Sequence, residues 1–350
     1  MANRTRRTVH EQLRDALGAE LDLPSLAQTV YSVVARRVAY DFACFATTDP
    51  ATGLITGASK TRSLGIGDEE FAAAEYGGPD LNSFAEIARR RLPAGALWLD
   101  TGGHPEHCRR HRDFMAPRFG FTDELRVVFS ARGASWAALA LYRGPGDPPF
   151  TGPDVQELGA VSELVAEAVQ RSLFRSGPGP RTVQSADPTA GPAVLVIDSS
   201  DRVTHLTPAA RAAVDELGGW DHGSLPANLL AVIASTRSRG EHTDTRARAA
   251  TGRWLSLRAA PLAGPESSGE VVVTVEPTPR TALSRLSLAA HGLTTREEDV
   301  ALLVLQGAST ATIAADLHLS PHTVQDHLKA VFAKLGVTSR REMTARLVLD

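Results

Sequence analysis

Hydrophobic positions along this chain follow two periods, and the switches between them mark out its organisation. Leu26, Val30, Val33, Val34 and Val38 fall on one face of a helix expected over Leu23 to Tyr40. Alternation then takes over. Phe42, Cys44 and Ala46 share one side of a strand, Asp49-Pro50-Ala51-Thr52-Gly53 makes a turn, and a second strand begins at Leu54. Leu125–Phe129 and Trp136–Tyr142, joined by a polar turn at Arg132-Gly133, read as a hairpin, and a long helix from Asp154 to Phe174 closes the region. Further on, Ala193–Asp198, Trp254–Ala259 and Glu270–Val275 are apolar enough for strands. The first runs into the turn Ser199-Ser200-Asp201, a second strand and a helix from Pro208 to Leu217. From Ala290 to Leu349 the spacing is helical throughout.

That tail carries its own punctuation. Thr294-Thr295-Arg296-Glu297 is an S/T-x-x-E capping box, so a helix should begin at Thr295, with Val300, Leu303 and Val304 as its apolar stripe and Gly307 beyond its end. Ser309 is suited to cap a second helix, Thr310 to Leu317, which buries Ile313, Ala314 and Leu317. Only His318, Leu319 and Ser320 separate it from a third, whose N-cap is Ser320 and whose first residue is Pro321, a position where a missing N–H costs nothing. In that third helix Val324, Leu328, Val331 and Leu335 point one way, while His322, Asp326, Lys329 and Ala333 point the other, with Gln325 at the margin. Gly336 ends it, and the box Ser339-Arg340-Arg341-Glu342 opens a fourth. Two helices joined by so short a turn form a helix-turn-helix, whose second member usually enters the DNA major groove.

The tail resembles the LuxR/FixJ-type DNA-binding domain of bacterial transcription regulators. The matching residues include Leu293, Thr294, Arg296, Glu297, Val300, Gly307, Ser309, Ile313, Ala314, Leu319, Ser320, Thr323, Val324 and His327. Its most specific part is the ending Lys334-Leu335-Gly336-Val337-x-Ser339-Arg340, which separates this family from the similar sigma-factor motif. The resemblance covers about a sixth of the chain. It implies that the positions matching Thr323, Val324, His327 and Lys334 lie on or beside the DNA-reading helix, and that dimers bind inverted half-sites. The chain departs from the family in carrying Gln325 where Lys is common, and Thr310-Ala311-Thr312 where Asn-Lys-Glu is common. The expected DNA-contacting set is Ser309, His322, Thr323, Val324, Gln325, Asp326, Lys329, Lys334, Ser339 and Arg340. Gln325 is placed to read adenine, and Val324 to meet a thymine methyl. His327, at the edge of the apolar face, is expected to pack rather than to read a base.

Charge changes the picture. From Arg280 to Asp350 there are eight Lys and Arg (280, 285, 296, 329, 334, 340, 341, 346) against seven Asp and Glu (297, 298, 299, 316, 326, 342, 350), a net charge of +1. Phosphate neutralisation supplies most non-specific affinity for DNA, so one copy should bind loosely and a homodimer is expected. The whole chain carries −3, which argues against a protein that coats nucleic acid generally.

Ahead of the tail, a Gly-, Pro-, Ser- and Thr-rich stretch contains Gly177-Pro178-Gly179-Pro180 and lacks apolar periodicity. The expected organisation is a sensor domain over 1–175, a linker over 176–192, a second domain over 193–276, a linker over 277–289, and the DNA-binding domain over 290–350. In its order of elements the first region resembles a GAF domain, and the opening of the second resembles a PAS domain. The expected fold class is therefore α+β sensor domains, GAF-like and then PAS-like, followed by an all-α four-helix helix-turn-helix domain.

With 43% hydrophobic and 22% charged residues the composition is that of a globular protein. Two cysteines, Cys44 and Cys108, make no disulfide framework, the first residues lack a signal core, and no run of eighteen apolar residues occurs, so a cytoplasmic protein without membrane contact is expected. Phosphate-binding loops, nucleophile elbows and the acidic pair of a phospho-receiver are missing, and an enzyme is not expected. His104, His107, Cys108 and His111, at i, i+3, i+4 and i+7, would share one helical face and could bind Zn²⁺. Arg109, Arg110 and Arg112 crowd that turn and oppose a cation, so the segment is taken as a polar surface helix, with no metal and no cofactor expected. The expected function is a dimeric, sequence-specific transcription regulator that binds double-stranded DNA, with a small-molecule effector or partner sensed by the front domains. The alternative is a metal- or ligand-binding sensor acting through protein partners, its tail serving as an interaction module.

Overall fold

The computed structural model describes residues 7–18, 21–174, 191–263 and 269–349. All but the last two residues of the expected linker 176–192 lie outside them. The chain divides into two compact units, Met1–Val169 with Thr182–Pro277, and Gln170–Arg181 with Thr278–Asp350.

The first unit begins with α1 (Val9–Ala16) and α2 (Leu23–Val34). A capping box between Thr8 and Glu11 starts the former, and the Asp22 carboxylate caps the latter. The helix expected to reach Tyr40 stops at Val34, where i→i+3 bonds from Arg36 N to Val33 O and from Arg37 N to Val34 O tighten the chain into turns. Next come β1 (Phe42–Thr48), β2 (Ile55–Lys60), α3 (Glu69–Tyr76), α4 (Phe84–Ile87), β3 (Ala94–Ala96), α5 (Leu97–Asp100), α6 (Ala116–Phe119), β4 (Asp123–Ala131) and β5 (Ala134–Arg143). The strands form one antiparallel sheet in the order β2-β1-β5-β4-β3. Its β4–β5 hairpin closes with Ala131 opposite Ala134, and Arg132 and Gly133 both take positive φ, the geometry that matches the twist of a two-residue loop. Side chains alternate across the sheet as the pleat requires. Phe42 packs with Tyr142 on one face, while Phe45 stacks on Phe129 on the other.

The expected single helix over 154–174 is two, α7 (Gly152–Gly159) and α8 (Ser162–Leu173). The break lets Ser162 dock on β4, its Oγ accepting from Ser130 N at 2.9 Å and donating to Val128 O at 2.7 Å. Just before the break Gly159 packs on Leu92, where a Cβ would lie 2.4 Å from its Cδ1.

A second sheet follows, from β6 (Ala193–Ile197), β7 (Val203–Leu206), α9 (Pro208–Glu216), α10 (Ala227–Arg239), β8 (Thr243–Arg248), β9 (Trp254–Pro261) and β10 (Val271–Pro277). Its order, β7-β6-β10-β9-β8, repeats the connections of the first sheet. The two sheets share a core. Leu54 and Ala72 from the first half pack among Leu217, Leu225, Leu229, Val232 and Ile233 of the second. Asn228 Nδ2 bridges Thr56 O at 3.2 Å and Leu217 O at 3.1 Å. Asp49 accepts from Arg246 N (2.9 Å), Nε (3.0 Å) and Nη2 (2.8 Å). Gly67 lies so close to Ser224 that a Cβ on it would be 2.2 Å from the Ser224 Cβ.

The second unit is helical. It contains α11 (Arg280–Ala290), α12 (Thr295–Leu305), α13 (Thr310–Asp316), α14 (Pro321–Leu335) and α15 (Arg340–Leu349). The segment 277–289, expected as a linker, is therefore mostly a helix. Leu288 of α11 belongs to the same core as Val300, Ile313, Leu328 and Met343, which is why Pro279 opens a helix rather than a loop.

Candidate nucleic-acid interface

The first three start signals in the tail form the hydrogen bonds their residues offer, whereas at the fourth Glu342 N donates to Ser339 Oγ at 3.1 Å and the Glu342 carboxylate accepts from Thr338 N at 2.7 Å and Thr338 Oγ1 at 2.8 Å. Thr294 N donates to Glu297 Oε2 at 2.7 Å and Glu297 N to Thr294 Oγ1 at 3.3 Å, Thr312 N donates to Ser309 Oγ at 3.1 Å, and Thr323 N to Ser320 Oγ at 3.1 Å. His318 takes φ +53° in the turn between α13 and α14, and Gly336 takes φ +64° beyond the end of α14. These caps fix where α14 begins and ends, and hence which side chains it turns outward.

The outward set is His322, Gln325, Asp326 and Lys329, with Ala333 further along. The side chains of His322 and Lys329 are 86% and 77% exposed, and Asp326 lies between them, 3.6 Å from His322 Nε2 and 3.5 Å from Lys329 Nζ. Pairs so exposed bind weakly and release their partners readily. Gln325 Nε2 donates to Thr310 Oγ1 at 3.3 Å, which sets its amide beside the start of α13. Thr323 is half-buried and its hydroxyl meets Ser320 Oγ at 2.8 Å, while Ser309 and Ser339 stand exposed as the N-cap of α13 and at the start of α15. His327 is half-buried.

Three of the expected residues are placed differently from the rest. Val324 is 0% exposed, locked among Leu328, Val331 and Ile313, and its methyls are not available to a thymine. This corrects its place in the expected contact set, and the reason is its own helical phase, which is that of Leu328 and Val331. Lys334 ion-pairs with Glu297 at 2.5 Å, tying the last turn of α14 to the first turn of α12. Burial would raise the Glu297 carboxyl, but Lys334 and the Thr294 amide outweigh it and hold it below its ordinary value. Arg340 donates to Ala308 O and Thr310 Oγ1, both at 2.8 Å, bracing the turn between α12 and α13. Arg296, likewise, donates to Leu317 O at the end of α13.

The histidine and cysteine cluster is not one helical face. Pro105–His107 is a single 3₁₀ turn and His111–Met115 a π-helical turn, which breaks the α-helical phase that the spacing presumed. His104 and His107 are exposed and stack on each other, whereas Cys108 and His111 are buried. Cys108 Sγ donates to Asp80 Oδ2 at 3.3 Å, and burial pushes its thiol up to about 11. Burial also lowers His111. No group of three or more His, Cys, Asp or Glu able to hold a metal ion occurs among the described residues.

The first sheet holds a feature that the hydrophobic pattern did not signal, a cavity of about 80 Å³ beneath α3. Its walls mix Phe42, Phe71, Phe84 and Tyr142 with Arg110 and Arg126. Arg126 donates to Glu124 Oε1 at 2.8 Å and to Glu75, and its guanidinium lies 4.2 Å over the Phe84 ring. Arg110 donates through Nη2 to Glu124, and its Nη1 lies 3.6 Å from Asp80. Burial alone would raise the Glu124 carboxyl, but Arg110 and Arg126 outweigh it and hold Glu124 down to about 2. The sequence did offer a sign. Glu124 and Arg126 share the parity of Val128, while Leu125, Val127 and Phe129 take the other, so two charges occupy one buried face.

Comparison with known proteins bears on the tail. The profile of the bacterial regulatory proteins of the luxR family, GerE, matches residues 291–347. The spore germination protein GerE of Bacillus subtilis is 38% identical over 56 residues, which cover 16% of this chain and 76% of that protein. The chain belongs to the luxR family. A putative helix-turn-helix transcriptional regulator of Mycobacterium bovis, Mb0914c, is 51% identical over 51 residues, covering 15% of this chain but only 6% of its own length. The transcriptional regulatory protein UhpA of Escherichia coli K12 is 29% identical over 131 residues, 35% of this chain and 63% of that one. Among solved structures, the phage VqmA-DPO complex is 19% identical over 45% of this chain and 81% of that one, with a TM-score of 0.24. The sensor region of a sensor histidine kinase is 13% identical over 76% and 97%, with a TM-score of 0.21. Scores at this level transfer nothing to this chain. Among the described residues, no helix is long and apolar enough to cross a membrane.

Proposed function

We propose that this protein is a cytoplasmic transcription regulator that binds double-stranded DNA in a sequence-specific manner as a homodimer, under control of a small molecule held by its front domains. In this reading the first sheet domain is GAF-like, the second PAS-like, and the chain's task is regulatory rather than catalytic. One observation carries the DNA-binding part: α14 divides cleanly, burying Val324, Leu328, Val331 and Leu335 and turning His322, Gln325, Asp326 and Lys329 outward beyond a short turn. A helix so presented enters the major groove with its N-terminal residues at the base edges. Gln325 reads adenine bidentately, and His322 meets an adjacent acceptor. Lys329 leaves Asp326 for a phosphate, and the exposed hydroxyls of Ser309 and Ser339 donate to the backbone on either side. Thr323 sets the entry of the helix, and Lys334 and Arg340 hold the helices in register from behind. With so little net charge in the unit, affinity comes from two copies bound to inverted half-sites.

The test is selection of sites from a random duplex pool by the full chain, followed by titration at several salt concentrations. An inverted repeat and an affinity that falls with salt are expected, and His322→Ala with Gln325→Ala should weaken binding about 10- to 100-fold at those positions, the worth of one good base contact. No selected site, or a selected site indifferent to both substitutions, refutes the reading.

A further inference from the structure

Thr310 and Gln325 lie 15 positions apart, and both stand where the tail departs from the residues common in its family. The fold brings them together, with Gln325 Nε2 donating to Thr310 Oγ1 at 3.3 Å. Thr310 is the first residue of α13, yet its hydroxyl is not the cap of that helix, because Ser309 Oγ fills that role by accepting from Thr312 N at 3.1 Å. The Thr310 oxygen instead accepts from Arg340 Nη2 at 2.8 Å, while Nη1 of the same guanidinium donates to Ala308 O, also at 2.8 Å. A guanidinium can only donate, so Arg340 takes one lone pair of the hydroxyl and leaves the other for Gln325. Thr310 and Arg340, both half-buried, thus brace the exposed Gln325 from the side of α13.

A glutamine amide carries two N–H protons and one acceptor oxygen. Untethered, it can present an acceptor beside a donor, which matches N6–H and N7 of adenine, or both protons together, which meet N7 and O6 of guanine. Bidentate contact with adenine uses Oε1 and the proton on the same side of the amide as that oxygen. The proton on the far side is spare, and giving it to Thr310 takes nothing from adenine. Guanine needs both protons, and one is already committed.

We propose that Thr310, held by Arg340, is a positioning residue for sequence readout: it takes the far amide proton of Gln325 and so restricts that side chain to adenine and excludes guanine. This rests on the reading that Gln325 contacts a base, and it adds what the contact discriminates against and which residues set it. A neutral contact of 3.3 Å adds little affinity, so the effect lies in the ratio between two sites rather than in strength at the preferred one.

The test uses the full chain and the duplex that it selects. Each adenine of the half-site is replaced in turn by guanine, with its pairing base, and the position at which Gln325→Ala abolishes the preference is the one Gln325 reads. There the unaltered protein should prefer adenine by roughly 10–100-fold, the worth of a bidentate contact. Thr310→Val, which keeps the shape and the Ser309 cap but loses the oxygen, should cut that ratio about fivefold, the worth of one hydrogen bond, mostly by a gain on guanine. Thr310→Ser, which keeps the oxygen, should hold the ratio. In the Gln325→Ala background Thr310→Val should leave the ratio unchanged. Binding is compared at equal folded fraction, and Thr310→Ala takes the place of a valine variant that does not fold. Equal weakening on both sites by Thr310→Val, or a ratio it does not diminish while Gln325→Ala does, overturns the positioning role and leaves the base contact standing. A ratio that Gln325→Ala alters at no position overturns the base contact and the positioning role with it. Absence of any selected duplex overturns the DNA-binding reading on which both stand.

Discussion

Asp49→Ala tests whether the two sheets are one folding unit. The Asp49 carboxylate, 1% exposed, receives Arg246 through its backbone N, Nε and Nη2 at 2.8 to 3.0 Å, and also accepts from Ala51 N at 2.9 Å. Truncation deprives a guanidinium that is only 17% exposed of this partner. Breaking a buried pair from one side costs roughly 3–5 kcal/mol. The remaining exposure of Arg246 and water entering the gap place this case at the lower end, about 3 kcal/mol. With a urea dependence near 3 kcal/mol per molar for a unit of this size, the midpoint should fall by about 1 M. Tryptophan fluorescence is a suitable assay because Trp98 and Trp136 report the first sheet and Trp220 and Trp254 the second. The native sheets should unfold together, and Asp49→Ala should shift the transition and split the second sheet from the first. Asp49→Ala with Arg246→Met, which removes both charges, should recover part of the loss. A shift below about 0.3 M, or two separate transitions in the unaltered protein, refutes the shared-unit argument.

Three further outcomes follow from the same contacts. Val324→Ala should cost about 2 kcal/mol of stability in the helical unit, by thermal melting, and leave site preference unchanged once binding is compared at equal folded fraction. Gly67→Ala should cost about 1–3 kcal/mol, read by urea titration, because its Cβ would collide with Ser224 and wedge the two sheets apart. Glu124 is held at about 2 against an ordinary 4.5, so its folded form is the ionised one. Its contribution is complete above pH 4.5 and lost as the pH falls towards 2, about 3 kcal/mol in all. Urea midpoints should therefore drop over that window, and Glu124→Gln should flatten the drop.

Legibility differed between the parts of the chain for physical reasons. The tail could be read to the residue because each helix carries a cap, a one-sided stripe and a stop, as with Ser320, Val324 to Leu335, and Gly336. The hairpin at Arg132-Gly133 was equally plain, since a polar pair ending in glycine sits midway between two apolar runs. Helix α10 was not legible. Asn228 through Ile233 are all buried, because the helix lies between the second sheet and the α3–β2 edge of the first, and a helix covered on all sides has no polar phase to betray its period. The break before Ser162 depended on a hydrogen bond to β4, which no local pattern encodes. Among site residues, exposure on α14 followed from phase alone, but Lys334 and Arg340 bond to residues 37 and 32 positions away, beyond the reach of any periodicity. Val324 is the converse case, since the helical phase it shares with Leu328 and Val331 places it in the core whatever position the family likeness implies.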